Sequence, residues 1–467
     1  MHGRTEEFPN LEEVARRKTA EAGFAPESPL PAEIGTDHFY ANMETHSYLF
    51  IQTRRLWPAA SVNSRIPPID TGEVDRKGNP IFVPASLWLD QNRPIEQMTW
   101  APGMPELVRD RLVAEGGWVP APGRAVFNLY RPPRCEPGIP SEAQPWLDHL
   151  KLIYPDDVNH IVCWLAHRVQ FPGAKINHAL VLGGHPGIGK DTLLYPALYA
   201  IGWWNFAGVN PMQLLGRFNG YLKSVILRVD EARDLGEINR YGFYEHLKVV
   251  TAAPPDVLRV DEKNLREYVI PNVCGVVITT NYLTDGLYLP PDDRRHYLAW
   301  SDLVQEDFSE DYFDRLYKWF DDGGNRHVAA YLRSVNLSDF NPKAPPKKTD
   351  AFWSIANANQ GYEQTELADL IDEMEVRLRE RPPVLTLKKL VDATESTSTL
   401  RAWLEDRRNR RVVPKHLERV GYVRVPNPDA RDGYWVINHK RQSVFGRKDL
   451  SPQQRIEAAK KLVNDGE

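Results

Sequence analysis

The stretch GGHPGIGKDTLL, Gly183 to Leu194, restricts what this chain can fold into more than any other. An apolar run, HALVLGG, leads into it, and KDTLLYPALYAIG leads out with helical spacing, so a glycine-rich turn must join a strand to a helix. In such a turn successive backbone N–H groups and the helix N-terminus converge on an anion, while a lysine reaches the terminal phosphates of a nucleotide. Gly184, Gly189 and Lys190 fit the spacing of a phosphate-binding loop, with Gly187 inside it. The position after the lysine, where a hydroxyl is usual, carries Asp191, and Thr192 follows. A carboxylate is a good hard-oxygen ligand for Mg²⁺, yet it adds negative charge beside the phosphates. Two arrangements stay open: Asp191 ligates the metal, or a small shift brings in Thr192.

Two further apolar runs, SVILRVDE and CGVVITTN, are short, rich in β-branched residues and apolar on both faces, as buried parallel strands are. The fold class they imply is α/β, a parallel sheet covered by helices. The first run ends in Asp230 and Glu231, about forty residues after Lys190. An aspartate there can hold Mg²⁺, and an adjacent glutamate can orient a water for attack on a γ-phosphate. The second ends in Thr279, Thr280 and Asn281, whose amide could sense the γ-phosphate or the attacking water. Arg294 and Arg295 follow. They could stabilise transition-state charge on a nucleotide held by a neighbouring subunit, or simply pair with Asp292 and Asp293 at the surface.

The order of these segments, with GIGKDTLL, VDEA and TTNYLTDGLYLPPDDRRHYLAW, resembles superfamily 3 helicases, and more narrowly the helicase part of phage and mobile-element primase-helicase proteins. The resemblance covers roughly residues 177–301, and more weakly ASLWLDQNRPIEQMTWAPG. It implies a P-loop, AAA+-like ATPase core that forms rings, usually hexamers, around DNA and translocates on it with ATP and Mg²⁺. By matched position Gly184, Gly189 and Lys190 would bind the phosphates and Asp230 the metal. Glu231 would be the catalytic base, Asn281 the sensor, and Arg294 or Arg295 the finger given to the next subunit. The same resemblance points to replication of a phage or mobile element.

KVVTAAPPDVLRVDEKNLREYVIPN corresponds to the segment that in this family includes a DNA-contacting hairpin. DVLRV and REYVI would be its arms, DEKN its tip, and Lys263 the residue facing single-stranded DNA in the ring's channel. Lysine suits a contact that reads the phosphate backbone without sequence preference. A nuclease-like echo, Asp256 with Asp261, Glu262 and Lys263, is too closely spaced for the strands such a metal site needs. Near the C-terminus RRNRRVVPKHLERVGYVRV reads as a basic helix entering a strand, PNPDARDG as a turn and YWVIN as a second strand. That outline is winged-helix-like, with Lys415, Arg419, Arg424 and Arg431 as candidate duplex-DNA contacts; Tyr434 and Trp435 could stack on bases or pack in a core.

Residues 1–35 read as a loosely ordered lead-in, 36–140 as a mixed N-terminal domain or collar, 141–172 as a pair of amphipathic helices and 173–335 as the ATPase domain. Residues 336–350 form a Pro/Lys-rich linker, and 351–467 a helical and winged-helix-like C-terminal domain. Within 36–140, PIFVPASLWL looks strand-like and MPELVRDRLVAEGG helix-like.

The formal charge of −5 argues against a uniformly basic coat for nucleic acid, although residues 401–450 hold 13 Lys and Arg against 6 Asp and Glu. Three scattered cysteines, Cys135, Cys163 and Cys274, indicate neither a disulfide framework nor a cysteine zinc site. No apolar run approaches a membrane helix and the N-terminus lacks a signal-peptide pattern, so the expectation is a soluble, cytoplasmic protein. With neither a zinc ribbon nor an acidic triad upstream, priming would fall to a separate primase. The alternative reading is an ATP-regulated replication initiator or loader without processive unwinding. A small-molecule kinase would leave the arginine pair and the basic C-terminus unused.

Overall fold

A computed structural model describes residues 33–230, 240–263, 265–283, 287–396 and 398–464, together with positions 11, 13, 14 and 17. They fall into two compact units. The first contains Met1–Ala232, Lys248–Asn281 and Arg294–Lys347; the second contains Arg233–Leu247, Tyr282–Asp293 and Lys348–Glu467.

In the first unit five strands form one sheet in the order Phe206–Val209, Ile226–Val229, Gly275–Thr280, Ala179–Gly184, His296–Ser301, and every pairing is parallel. Ala179–Gly184 and Gly275–Thr280 are buried along their whole length, which their unbroken apolar and small residues permit on both faces. The helices Gln144–Ile153, Val158–Gln170, Lys190–Ile201 and Asn325–Ser334 pack together. This is the expected α/β arrangement with a parallel sheet. All five strands point the same way, so their C-terminal ends share one edge, where ligands of open α/β sheets bind.

The N-terminal part of this unit departs from two expectations. MPELVRDRLVAEGG is not a helix: Leu107–Ala114 is a strand paired antiparallel to Gly117–Asn128. Its apolar spacing suits a helix, but Gly117 at φ 99° turns the chain back on itself, and Val108 and Val113 are buried in the sheet instead. PIFVPASLWL splits, with Pro80–Val83 a strand and Ala85–Asn92 a helix, because Pro84 suits the entry to a helix and not a continuing ladder. A second sheet, Arg55–Trp57, Ser47–Phe50, Phe39–Asn42 and Pro94–Ile95, closes over Phe39, Tyr48, Phe50, Val62 and Leu89.

In the second unit the helix Asp350–Leu378 starts inside the expected linker, because Thr349 accepts a hydrogen bond from the Phe352 amide as its N-cap. Three strands, Val384–Thr386, Val444–Arg447 and Tyr422–Val425, make an antiparallel sheet in that order, and the helices Leu387–Ala393, Thr399–Glu405 and Val413–Arg419 lie between the first and last of these in sequence. Trp435–Ile437, within the expected YWVIN strand, pairs with Lys440–Gln442 and not with Tyr422–Val425. Asn438 and His439 both adopt positive φ and close that hairpin in two residues, a geometry matching the twist of its arms. Trp435 and Ile437 enter the core, and Trp435 Nε1 donates to Val425 O at 2.7 Å.

Behind the parallel sheet His160 stacks on Tyr297 and lies 3.1 Å from His178 (Nε2 to Nε2), while the His167 and His178 rings pack against Phe340. Burial pushes His160 and His167 down to about 4 and His178 to about 3, from the ordinary 6.5. These imidazoles are neutral in the fold and take up protons on unfolding, so the stability they contribute is full above pH 6.5 and is lost as pH falls toward 4. Thermal unfolding of the protein is therefore expected to show Tm falling through this window; a flat profile would contradict the packing described.

Candidate functional site

The glycine loop leaves the sheet at Gly184 and ends at Gly189, whose left-handed backbone (φ 83°) starts the helix Lys190–Ile201. A Cβ on Gly189 would lie 2.7 Å from atoms of the His149 and Phe313 rings, so only glycine fits there. The first turn of the helix has no side-chain cap, and backbone N–H groups at such a helix start are suited to an anion. The helix Gln144–Ile153 and its C-cap Tyr154 brace this turn: Trp146 Nε1 donates to Leu193 O, Tyr154 Oη to Gly183 O, and His149 Nε2 meets Gly189 O at 3.2 Å. Burial lowers His149 to about 4, so the ring is neutral; Nε2 carries the proton for the carbonyl and Nδ1 accepts from Tyr312 Oη.

Lys190 is buried at 9 % exposure, and its Nζ donates to Gly184 O, His185 O and Asn281 Oδ1, each at 2.8 Å. The ammonium thus stands where the loop, the helix and the end of the Gly275–Thr280 strand meet. Asn281 and Lys190, ninety-one residues apart, are in direct contact.

Asp191 and Asp230 converge on one group that the sequence reading did not single out. Arg228, at 4 % exposure, sends Nη2 to Asp191 (2.9 Å) and to Asp230 (2.6 Å). Its Nε donates to Thr279 Oγ1 at 3.2 Å, and that hydroxyl donates to Asp230 Oδ1 at 3.2 Å. The signal was present in SVILRVDE: Arg228 shares a strand face with Asp230, and an arginine in a buried parallel strand requires carboxylates. Two carboxylates meeting at one cation suit a hard divalent ion, which takes one or two carboxylates and fills its remaining positions with phosphate oxygens and water. Among the described residues no group of three or more His, Cys, Asp or Glu could hold a metal by itself. Thr192 turns elsewhere: its hydroxyl meets Tyr317 Oη at 2.8 Å in the helix Tyr312–Trp319. Glu231 lies outside the described residues.

Arg294 and Arg295 are kept apart from this edge. His296 pairs with Ala179 and Ser301 with Gly184, so the arginines precede their strand at the end opposite the loop. At ~3.3 Å per residue the six positions from Arg295 to the level of Gly184 amount to about 20 Å along the strand, with Arg294 farther still. Arg294 is exposed and Arg295 half-buried, while Asp293 is buried and accepts from Tyr244 Oη.

The hairpin expected around DEKN is present, with Val257–Val260 antiparallel to Tyr268–Pro271. Arg217 Nε binds Asp261 at 2.9 Å, and Glu262 accepts from Lys223 Nζ and Tyr268 Oη, both at 2.7 Å. The tip's two acids are therefore paired beside Lys263, which is exposed. Phe218, half exposed and with the Arg217 guanidinium 5.6 Å from its ring centre, lies next in the chain to the residue that binds the tip; the sequence reading missed it. The hairpin's arms are tied to the N-terminal part by Thr99 Oγ1, which donates to Val269 O at 3.0 Å, and by the Arg259–Glu115 ion pair.

In the second unit Lys415, Arg419, Arg424 and Arg431 are all exposed. The Arg424 guanidinium sits 5.0 Å from the Tyr434 ring centre, whereas Trp435 is core. No helix among the described residues is long and apolar enough to cross a membrane.

Residues 182–295 match a family described only as a family of unknown function, DUF5906. No curated protein matches in sequence. Among solved structures the chain is similar to the apo NrS-1 C-terminal region (305–718), with 16% identity and a TM-score of 0.52 over 88% of this chain and 95% of that one. The A form of the same region gives 15% identity and a TM-score of 0.51, covering 88% and 96%. At these identities the likeness is one of fold. JCV Helicase aligns over 51% of this chain and 66% of its own with 10% identity and a TM-score of only 0.30.

Two side chains at the loop can be separated by substitution. Thr192→Val is expected to strand the Tyr317 hydroxyl and lower stability by about 1–3 kcal/mol, with Tyr317→Phe recovering most of it. Asp191→Ala is expected to impair Mg-ATP turnover more than Thr192→Ala does. The reverse ranking would place the hydroxyl, and not the carboxylate, in the metal's coordination.

Proposed function

We propose that the chain is an ATP-dependent DNA helicase, a ring-forming translocase serving the replication of a phage or mobile element. The observation that carries this reading is the gathering of the glycine loop with Lys190, Asp230 and Asn281 at one edge of the parallel sheet, with the arginine pair at the other. The loop amides and the N-terminus of the helix Lys190–Ile201 bind the phosphates of ATP. Lys190 exchanges its two loop carbonyls for phosphate oxygens. Asp230 supplies a carboxylate for Mg²⁺, which when bound offsets charge on the phosphates, and Asp191 lies beside it on the same guanidinium. Asn281 orients the attacking water, and Glu231 is the base assigned from the sequence pattern.

Because Arg294 and Arg295 lie about 20 Å or more along the strand direction from their own loop, a finger role requires another copy of the chain. A homo-oligomeric ring, most simply a hexamer, gives each nucleotide such a neighbour. Lys263 on its hairpin contacts single-stranded DNA through the phosphates, and the pairing of Asp261 and Glu262 keeps the tip from repelling them. Phe218 offers a face for a base beside it. The three-stranded sheet and preceding helices of the second unit support the winged-helix reading, with Lys415, Arg419, Arg424 and Arg431 toward duplex DNA.

ATP hydrolysis measured with and without single-stranded DNA, beside strand displacement on a forked duplex, tests this. The wild type is expected to do both, and Lys263→Ala to keep basal hydrolysis while losing DNA stimulation and displacement. DNA-stimulated hydrolysis without displacement by the wild type would replace the helicase with the initiator or loader.

A further inference from the structure

A carboxylate directly after the loop lysine is a liability by itself, because it places negative charge beside a triphosphate and beside Asp230. The fold answers with a cation in the same place. Arg228 rises from the middle of a buried strand, is 4 % exposed, and spans both carboxylates with one nitrogen while its Nε holds Thr279. An arginine buried to this degree is retained only where its charge is met, and here Asp191 and Asp230 meet it.

We propose that Asp191 and Arg228 form one charge-compensated unit that replaces the usual loop hydroxyl, and that Arg228 is a positioning residue competing with the divalent ion for Asp230. The proposal rests on the nucleotide-site reading above and extends it to how the site is held before nucleotide arrives. In the nucleotide-free protein the guanidinium draws the two carboxylates together and prevents their mutual repulsion. With Mg²⁺ bound beside a nucleotide, Asp230 would serve the ion and Asp191 would keep Arg228 as its counter-ion. The net charge of the pair is zero, so the phosphates meet the same formal charge as they would beside a hydroxyl and an apolar strand residue. Two consequences follow. Loss of Arg228 alone removes the shared counter-charge of two neighbouring carboxylates, which then bind Mg²⁺ even without nucleotide. Loss of Asp191 alone leaves Arg228 to Asp230 undivided, and the ion must then displace a tighter pair.

The test reads metal response directly. Thermal unfolding of the full chain is compared in MgCl₂ and in NaCl of equal ionic strength, without nucleotide, for the wild type, Arg228→Leu, Arg228→Lys, Asp191→Thr and the double variant Asp191→Thr/Arg228→Leu. Arg228→Leu is expected to gain several degrees in MgCl₂, the wild type almost nothing, and Arg228→Lys an intermediate shift. In parallel, the Mg²⁺ concentration needed for half-maximal binding of a fluorescent ATP analogue is expected to rise about tenfold in Asp191→Thr, as loss of a metal site's supporting partner commonly causes. It is expected to return to near the wild-type value in the double variant, a non-additivity that a merely structural role would not produce. The proposal is overturned if Arg228→Leu responds to MgCl₂ no more than the wild type, or if the two substitutions simply add. Should Arg228→Leu fail to fold, Arg228→Lys takes its place, alone and combined with Asp191→Thr, and the same two outcomes decide it. Failure of the analogue to bind the wild type at all would remove the nucleotide reading, whereas the MgCl₂ shift without nucleotide would still judge Arg228.

Discussion

The ammonium of Lys190 ties its own loop, through the carbonyls of Gly184 and His185, to the amide of Asn281, ninety-one residues away at the end of another strand. A buried ammonium without acceptors would be far too costly, so the loop must keep Gly184 O and His185 O turned inward. The left-handed glycine at 189 and the rings packed against it make that path the accessible one. The parallel sheet then fixes what lies around this charge. Asp230 and Asn281 follow adjacent strands, so they reach the same edge as the loop, and His296–Ser301 puts the arginines at the opposite end.

Much of this was legible in the sequence because it depends on local chemistry. A glycine-rich turn between an apolar strand and a helix has few solutions, and apolar runs ending in polar residues place those residues at a sheet edge whatever the tertiary detail. What could not be read depends on partners distant in sequence. The helical spacing of MPELVRDRLVAEGG was overridden by pairing with Gly117–Asn128, and YWVIN found its partner across a two-residue turn and not across PNPDARDG. Arg228 was overlooked because its strand was read as apolar on both faces; one charged residue on the Asp230 face was the clue. The choice between Asp191 and Thr192, open on spacing alone, acquires physical content from Tyr317, which engages the threonine hydroxyl and comes from a helix more than a hundred residues away.

The hairpin illustrates how neighbouring charge shapes a surface. DEKN taken by itself is acidic overall, yet Arg217, Lys223 and Tyr268 bind its two carboxylates and leave Lys263 to set the character of the tip. The same hairpin is anchored along its arms through Thr99 and Glu115, so the N-terminal part, which offered no chemistry in the sequence, acts here as a support for it.

The central claim, that Lys190 and the glycine loop form a nucleotide site, is tested most directly by equilibrium binding of ATP in MgCl₂ to the wild type and to Lys190→Ala, with folding of both confirmed by thermal unfolding. Saturable binding by the wild type that is lost, or weakened at least about a hundredfold, in Lys190→Ala is the predicted result, since a charge-assisted contact to phosphate would be removed. Equal affinity of the two proteins, or no binding by a folded wild type, would contradict it.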